Sequence, residues 1–240
     1  MSLTTEITGL TTEVRQLVNT VAAQDDLVRD KINQLAAMVP NTSRLYYVDA
    51  ASGDDAADGT SPQTALASLE AALQRAPAGG RCSVRLLSDV VVSERVGLNA
   101  SATFIYGTDA TGAPVQRQVA FAAQAGTGTA VAGWYHNTGG VLYLSDLDIT
   151  LPVAAAGMTT RYVIGHWPGG VDVLFRCHVR AAAGSDCWLI GGVAGRAIVD
   201  FRSCSIDASA GAGSGRLFEG VAAGADPNSD WRIRTNITAN

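Results

Sequence analysis

The residues with the most obvious capacity for chemistry are two neighbouring carboxylates. Alternation along the segment YLSDLDIT puts Asp146 and Asp148 on one outward strand face, roughly 7 Å apart. That separation suits the acid and base of an inverting glycosidase, but outward polar residues are also typical of any solvated sheet face. The pair is therefore a weak catalytic candidate, and Asp200 with Asp207 is a second such pair.

Aromatic and histidine side chains recur in glycine-flanked segments, namely GWYHNTGG, GHWPGG and GSDCWLIGG. Sugar rings stack on flat aromatic faces that have polar groups beside them. We therefore predict a glycan-binding site, and the alternative is that each ring packs in the core or between subunits. The predicted binding residues are Trp134, Tyr135, His136, His166, Trp167 and Trp188.

The acidic turn with Asp54, Asp55 and Asp58 invites comparison with a calcium loop. An EF-hand loop needs oxygen ligands at its third and twelfth positions, and alanines stand there. The sequence therefore predicts a turn held by Asx hydrogen bonds and no metal site. No cofactor is predicted, because no histidine or cysteine lies in a nucleophile or zinc-binding motif. The four cysteines are predicted to be free thiols: Cys82, Cys177, Cys187 and Cys204.

Composition excludes two classes of partner. The net charge of −5 argues against nucleic acid, since that affinity comes mainly from clustered lysines and arginines. No apolar run reaches eighteen residues, and the N-terminus lacks the basic and apolar regions of a signal peptide. We expect no membrane insertion, and folding in the cytoplasm of the producing cell.

Apolar residues in segment 1–40 follow a heptad rhythm of alternating four- and three-residue spacings, which predicts a coiled-coil stalk. A polar layer and a four-residue stutter interrupt the rhythm. The alternative is an amphipathic helix packed on its own domain. Peptide rules for these residues favour a dimer. The predicted oligomerisation residues are Ile7, Leu10, Val14, Leu17, Val21, Gln24, Val28 and Leu35.

Short strand segments recur every 27 to 30 residues in the rest of the chain. Aligning three of them on Ile149, Val179 and Ile206 predicts an apolar column across successive repeats. Two further predicted columns are Leu147, Cys177, Cys204 and Leu144, Leu174, Phe201. The long linking segments favour a right-handed parallel β-helix over a β-sandwich, which prefers closely spaced hairpins. We predict this head over residues 81–240.

Residues 45–80 are predicted to form a strand, a turn and a capping helix that covers the open end of the solenoid. Ser68 is the expected N-cap, and Leu69, Ala72 and Leu73 share the buried helix face. The segment YYVDAASGDDAADGTSPQTALASLEAAL resembles the opening module of pectate-lyase-like β-helix domains, which are frequent in bacteriophage tail fibres and tailspikes. The resemblance is close over residues 46–80 and only general beyond them.

This resemblance implies a homotrimeric virion fibre, in which the N-terminus attaches to other virion proteins and the head binds a host surface polysaccharide. Three functions remain open: glycan binding during adsorption, polysaccharide breakdown by a glycosidase or lyase, and a purely structural role on the head or tail. The chain is short for an enzymatic spike, so binding without turnover is the favoured expectation.

Overall fold

The computed structural model describes residues 43–207, 217–222 and 224–237, with Glu13, Arg15, Gln16, Thr20 and Gln24. The chain divides into two compact units, Met1–Pro40 and Asn41–Asn240. The five described residues of the first unit are helical and exposed, and Gln24 is the predicted heptad position among them. The other heptad positions lie outside the described residues.

The second unit is built almost entirely from short strands. In chain order they are β1 Ser43–Val48, β2 Arg81–Leu86, β3 Val90–Val92, β4 Arg95–Leu98, β5 Ala102–Gly107, β6 Arg117–Phe121, β7 Gly133–His136, β8 Val141–Ser145, β9 Leu147–Leu151, β10 Tyr162–Gly165, β11 Gly170–Phe175, β12 His178–Ala181, β13 Trp188–Gly191, β14 Ala197–Arg202, β15 Ser205–Asp207 and β16 Ile233–Thr235.

The strands form three sheets in which the paired neighbours run parallel. The first sheet has the order β1-β2-β5-β8-β11-β14-β16, the second β15-β12-β9-β6-β3, and the third β13-β10-β7-β4. Successive strands along the chain therefore mostly enter different sheets, and each pairs with its equivalent in the next repeat. This arrangement is compatible with a β-helix-like fold.

The register confirms the columns predicted from the repeat. Val179 pairs with Ile149 on one side and Ile206 on the other, and Leu174 pairs with Leu144 and Phe201. Alternation directs these side chains inward, so each repeat adds one layer to a continuous apolar core.

The predicted fold class, a coiled coil followed by a right-handed parallel β-helix, is wrong. The described residues show a mainly β chain with one complete α-helix and no coiled coil, and their three parallel sheets do not close into a single helix. Corners separate the first and second sheets, because Asp146, Arg176 and Ser203 adopt the left-handed conformation, with φ of 59°, 51° and 54°. A residue in this conformation turns the chain, so the strand of the first sheet ends before it and the strand of the second sheet begins after it.

The predicted capping helix is present as α1, Leu69–Gln74, and the Ser68 hydroxyl accepts a hydrogen bond from the Ala71 amide. Leu69 and Leu73 are buried in the core. The acidic turn is held by Asx hydrogen bonds, as predicted: Asp54 accepts the Ala56 amide and Asp58 the Thr60 amide. No helix in the described part of the chain is long and apolar enough to cross a membrane.

Candidate functional site

The outer face of the third sheet carries an unusual row of small residues. Tyr135 on β7 pairs with Gly97 on β4 and with Gly165 on β10, and Gly165 pairs with Gly191 on β13. Three of the four positions in this row therefore lack a side chain. A sheet surface with so few side chains is shallow, and aromatic rings from neighbouring positions can lie across it.

Tyr162, at the start of β10, fills part of that space. A Cβ atom at Gly191 would lie 2.4 Å from the Tyr162 ring, and one at Gly192 would lie 2.2 Å from its hydroxyl oxygen. Both distances are far inside van der Waals contact. The glycines are therefore required for the ring to lie close to the sheet.

Trp167 stands at the edge of this surface, in the turn between β10 and β11. Pro168 restrains the backbone before it to extended conformations, and Gly169, with φ of +97°, then turns the chain into β11. The turn presents the indole to solvent, where 76% of the Trp167 surface is exposed. An exposed indole next to a shallow aromatic surface is a suitable stacking partner for a sugar ring.

These residues enclose a groove of about 370 Å³, which we term the aromatic groove. Its size is within the usual range for small-ligand sites. The Thr160 side chain adds a hydroxyl, and the one charged residue of its lining is Arg95. The lining residues are Arg95, Ala130, Tyr135, Thr160, Tyr162, Gly165 and Trp167.

A second depression continues from the aromatic groove past Tyr162 and Trp167, which line both. Its charged residues are Glu219 and Arg232. Glu219 accepts a hydrogen bond of 2.8 Å from the Gly192 amide, and Arg232 is paired with Asp230 at 2.6 Å. The two depressions together could hold more than one sugar unit, with Trp167 between them.

Only two of the six predicted binding residues belong to the lining of the aromatic groove. Tyr135 and Trp167 line the aromatic groove, and Trp188 is half-buried on β13 outside its lining, in register with Tyr162. Trp134 is wrongly predicted, because its side chain is fully buried and packs edge-on against Phe121, with ring centroids 5.2 Å apart. Such a ring offers no face to a ligand.

His136 and His166 are also buried, so their predicted role in glycan binding is wrong. Both rings hydrogen-bond through Nε2 to the carboxylate of Asp172, at 2.8 and 2.6 Å. Burial would raise the pKa of Asp172, but the charges and hydrogen bonds of the two histidines outweigh it and lower the pKa to about 2. The carboxylate is therefore ionised, and both imidazoles donate to it.

This buried cluster is the one group of potential metal ligands among the described residues, with candidate ligand atoms within 4.8 Å of one another. Its hydrogen bonds already occupy both carboxylate oxygens and both Nε2 atoms. The two histidines account for the buried carboxylate, since a buried charge is tolerated when it is paired and hydrogen-bonded. His166 Nδ1 has no hydrogen-bond partner among the described residues.

The predicted catalytic pair does not form. Asp146 lies at a corner between β8 and β9, so strand alternation does not carry through it to Asp148. Asp146 binds Arg176 through two hydrogen bonds, and Asp148 lies 3.1 Å from Arg180. Burial would raise the pKa of Asp146, but its hydrogen bonds from Arg176 and Ser145 lower it. A general acid requires the opposite shift.

Two groove residues, Tyr162 and Arg95, were not predicted from the sequence. Arg95 reaches from β4 across β7, and its Nη1 atom donates to the Tyr162 carbonyl at 2.8 Å. The guanidinium carbon lies 4.6 Å from the Tyr162 ring centroid. The place of Tyr162 at the start of the strand segment RYVIG is a signal for this residue, but 67 residues separate it from Arg95, and no local pattern predicts their contact.

A second aromatic surface was also missed. The outer face of the first sheet stacks Phe104, Tyr106 and Tyr143 within 6.3 Å of one another. Arg81 lies over Phe104, 4.1 Å from the ring centroid. The alternation in ATFIYG and VLYLS, with Ile105 and Leu144 inward, is the signal that would have found these rings.

Comparison of the chain with protein-family models, curated proteins and solved structures found no match in any of the three. The interpretation of the aromatic groove therefore depends on its own geometry.

Proposed function

We propose that this protein binds a cell-surface glycan through the aromatic groove, as a fibre or spike protein of a virion. The observation that carries the proposal is the exposed Trp167 ring beside the shallow surface of Tyr135, Tyr162 and their glycine neighbours. An exposed indole leaves its apolar surface in contact with water, which is unfavourable until a ligand or partner covers it. A sugar ring covers an indole while its hydroxyl groups still reach polar neighbours.

The virion setting is supported by the likeness of residues 46–80 to the opening module of tail-fibre and tailspike domains. The parallel sheets are compatible with that setting, although the fold by itself carries no function. Binding without turnover is favoured over polysaccharide breakdown, because Asp146 and Asp148 are each held in an ion pair with arginine.

The experiment is an array of bacterial surface polysaccharides probed with the full chain and two tryptophan variants. Trp167→Ala should weaken binding about 10- to 100-fold, the loss expected for a stacking contact and its apolar area of about 1.5–3 kcal/mol. Trp231→Ala is the matched control, because Trp231 is similarly exposed, at 71%, but lies outside the aromatic groove. Binding in this control should match the wild type.

Equal loss in both variants would show that the aromatic groove is not the binding site. A wild-type protein that binds no polysaccharide would instead support the structural role. Release of reducing sugar from a bound polysaccharide would show the protein to be a depolymerase.

A further inference from the structure

Arg95 occupies a position that an ordinary surface arginine does not. Its side chain extends over the outer face of the third sheet, and its Nη1 atom donates to the carbonyls of Tyr162 and Val131, at 2.8 and 3.3 Å. Its register partner is Gly133, which leaves room for the side chain to cross β7. The guanidinium is thereby fixed in the wall of the aromatic groove, next to the Tyr162 ring.

The positive charge of Arg95 has no counterion in the described residues. Other arginines, including Arg161, Arg176 and Arg232, form ion pairs with aspartates within 4.0 Å, whereas Arg95 forms none. The carboxylate of Glu219 raises the pKa of Arg95 through its charge, but it lies beyond ion-pair distance of the guanidinium. It accepts a hydrogen bond from the Gly192 amide instead. Burial lowers the pKa of Arg95, which reflects the cost of placing an unpaired cation there.

The free edge of the guanidinium has the donors that a carboxylate needs. The two hydrogen bonds to backbone carbonyls use Nη1 alone, and Nε and Nη2 donate to no residue in the described part of the chain. Neither atom is among the buried polar atoms that lack a partner, so both remain accessible to solvent. Nε and Nη2 together form the fork that binds a carboxylate through two parallel hydrogen bonds.

We infer that the aromatic groove takes an acidic sugar, with its carboxylate on the Nε–Nη2 edge of Arg95 and its ring against Trp167. This inference rests on the proposed function and adds the class of ligand. The groove offers no carboxylate of its own to repel an anion, since Arg95 is the one charged residue in its lining. A fixed fork also favours a planar carboxylate over a neutral hydroxymethyl group at the same ring position.

The test uses acidic bacterial polysaccharides from the array together with their carboxyl-reduced forms, in which each uronic acid has become a neutral sugar. Wild-type protein should bind the acidic form about 10- to 100-fold more tightly than the reduced form, the range for hydrogen bonds to a charged group. Added salt should narrow that difference. Arg95→Met should remove the preference, and Arg95→Lys should retain part of it, since lysine keeps the charge but not the fork.

Arg81→Met is the matched control, because Arg81 also lies over an aromatic ring but on the first sheet, outside the groove. This variant should keep the wild-type preference for the acidic form. Arg95 also supports Tyr162, so the ratio between acidic and reduced glycan is the deciding quantity, and not the absolute affinity of a variant.

The two proposals fail in distinguishable ways. Binding that depends on Trp167 but is equal for acidic and reduced glycans would overturn the acidic-sugar inference and leave the proposed function standing. An acidic preference that persists in Arg95→Met would also overturn it. A wild-type protein that binds no glycan would overturn both proposals.

Discussion

Asp146 and Arg176 occupy equivalent corners of successive repeats and bind each other through two hydrogen bonds, from Arg176 Nε and Nη2, of 2.7 and 2.8 Å. Both residues have positive φ, at 59° and 51°. Residues other than glycine, asparagine, aspartate and histidine seldom adopt that conformation, since it brings Cβ close to the backbone, so the strain is greater at Arg176 than at Asp146. The ion pair thus joins the two corners and offsets part of their backbone strain.

Replacement of Asp146 should separate these two contributions. Asp146→Ala should lower the free energy of unfolding by about 1–3 kcal/mol, because it removes the ion pair and places alanine in the left-handed conformation. Asp146→Gly should be more stable than Asp146→Ala by about 1 kcal/mol, since glycine adopts that conformation freely. Urea unfolding measures both differences.

The control for this series is Asp200→Ala, which breaks the 2.6 Å pair with Arg202 at a residue of ordinary φ. Its loss should stay below about 1 kcal/mol, as for other exposed pairs. Equal unfolding energies for the alanine and glycine variants at position 146 would show that the corner is unstrained.

The buried carboxylate of Asp172 should make the fold sensitive to acid. Its pKa is lowered from 3.8 to about 2 in the folded chain. A group with a depressed folded pKa stabilises above its unfolded pKa and loses that contribution as the pH falls through the folded value. We expect about 2 kcal/mol of stability to disappear between roughly pH 5 and pH 2.

Asp172→Asn should flatten this dependence while lowering stability at neutral pH, because asparagine leaves two histidines without their shared anion. Denaturant unfolding at a series of pH values tests both effects. Asp109→Asn, in an exposed turn, should keep most of the wild-type acid dependence. An unchanged slope in Asp172→Asn would show that other carboxylates control acid unfolding.

Gly191 should be intolerant of even one added carbon. A Cβ there would meet the Tyr162 ring at 2.4 Å and Glu219 Oε2 at 2.6 Å, so the ring must leave its place in the groove. If the groove binds glycan, Gly191→Ala should reduce affinity about 10-fold, corresponding to about 1.4 kcal/mol. Glycan titration of the folded variant measures this loss.

Gly128→Ala is the control, since a Cβ at this exposed position would meet its nearest atom, the Ala125 carbonyl oxygen, at 3.3 Å. In a Tyr162→Ala background, Gly191→Ala should cost much less affinity, because the ring it displaces is already absent. An equal cost in both backgrounds would mean that Gly191 acts through other neighbours.

Cys177 and Cys204 are free thiols at equivalent positions of adjacent repeats. The interaction between the two thiols lowers the pKa of Cys204 and raises the pKa of Cys177. Burial raises the pKa of Cys82 and Cys187 to about 12. Because the thiolate is the nucleophile, iodoacetamide should modify Cys204 first in the native protein at neutral pH.

Peptide mapping by mass spectrometry follows this reaction, and unfolding should expose all four thiols. Cys177→Ala removes the neighbouring thiol that lowers the pKa of Cys204, so it should slow modification of Cys204. Earlier labelling of Cys82, or a Cys177–Cys204 disulfide in the purified protein, would contradict the expected order.

Sequence periodicity determined the layers of the core. The 27- to 30-residue repeat placed Ile149, Val179 and Ile206 in register, as the strand pairing confirms. Ser68 and the apolar spacing after it located α1. These features were predictable because alternation in a strand, spacing in a helix and capping depend on residues close together in the chain.

Only the tertiary structure decided which aromatic residues are accessible. Trp134 and Trp167 stand in similar glycine-flanked segments, yet one is fully buried and the other is 76% exposed. Trp134 lies within β7, where the strand directs it inward, whereas Trp167 lies in a turn after β10. The positions of the strand ends and corners decide which of the two rings is buried. These positions depend on how the repeats pair, and a local sequence pattern does not specify that pairing.

The candidate site likewise combines residues that are distant in sequence. Arg95 meets Tyr162 across β7, and Asp172 binds His136 from another sheet. The amino-acid sequence determined that these residues were polar or aromatic and stood near turns. Their contacts arise because each repeat returns the chain to the same side of the core about 30 residues later, so the stacking of repeats decides which side chains meet.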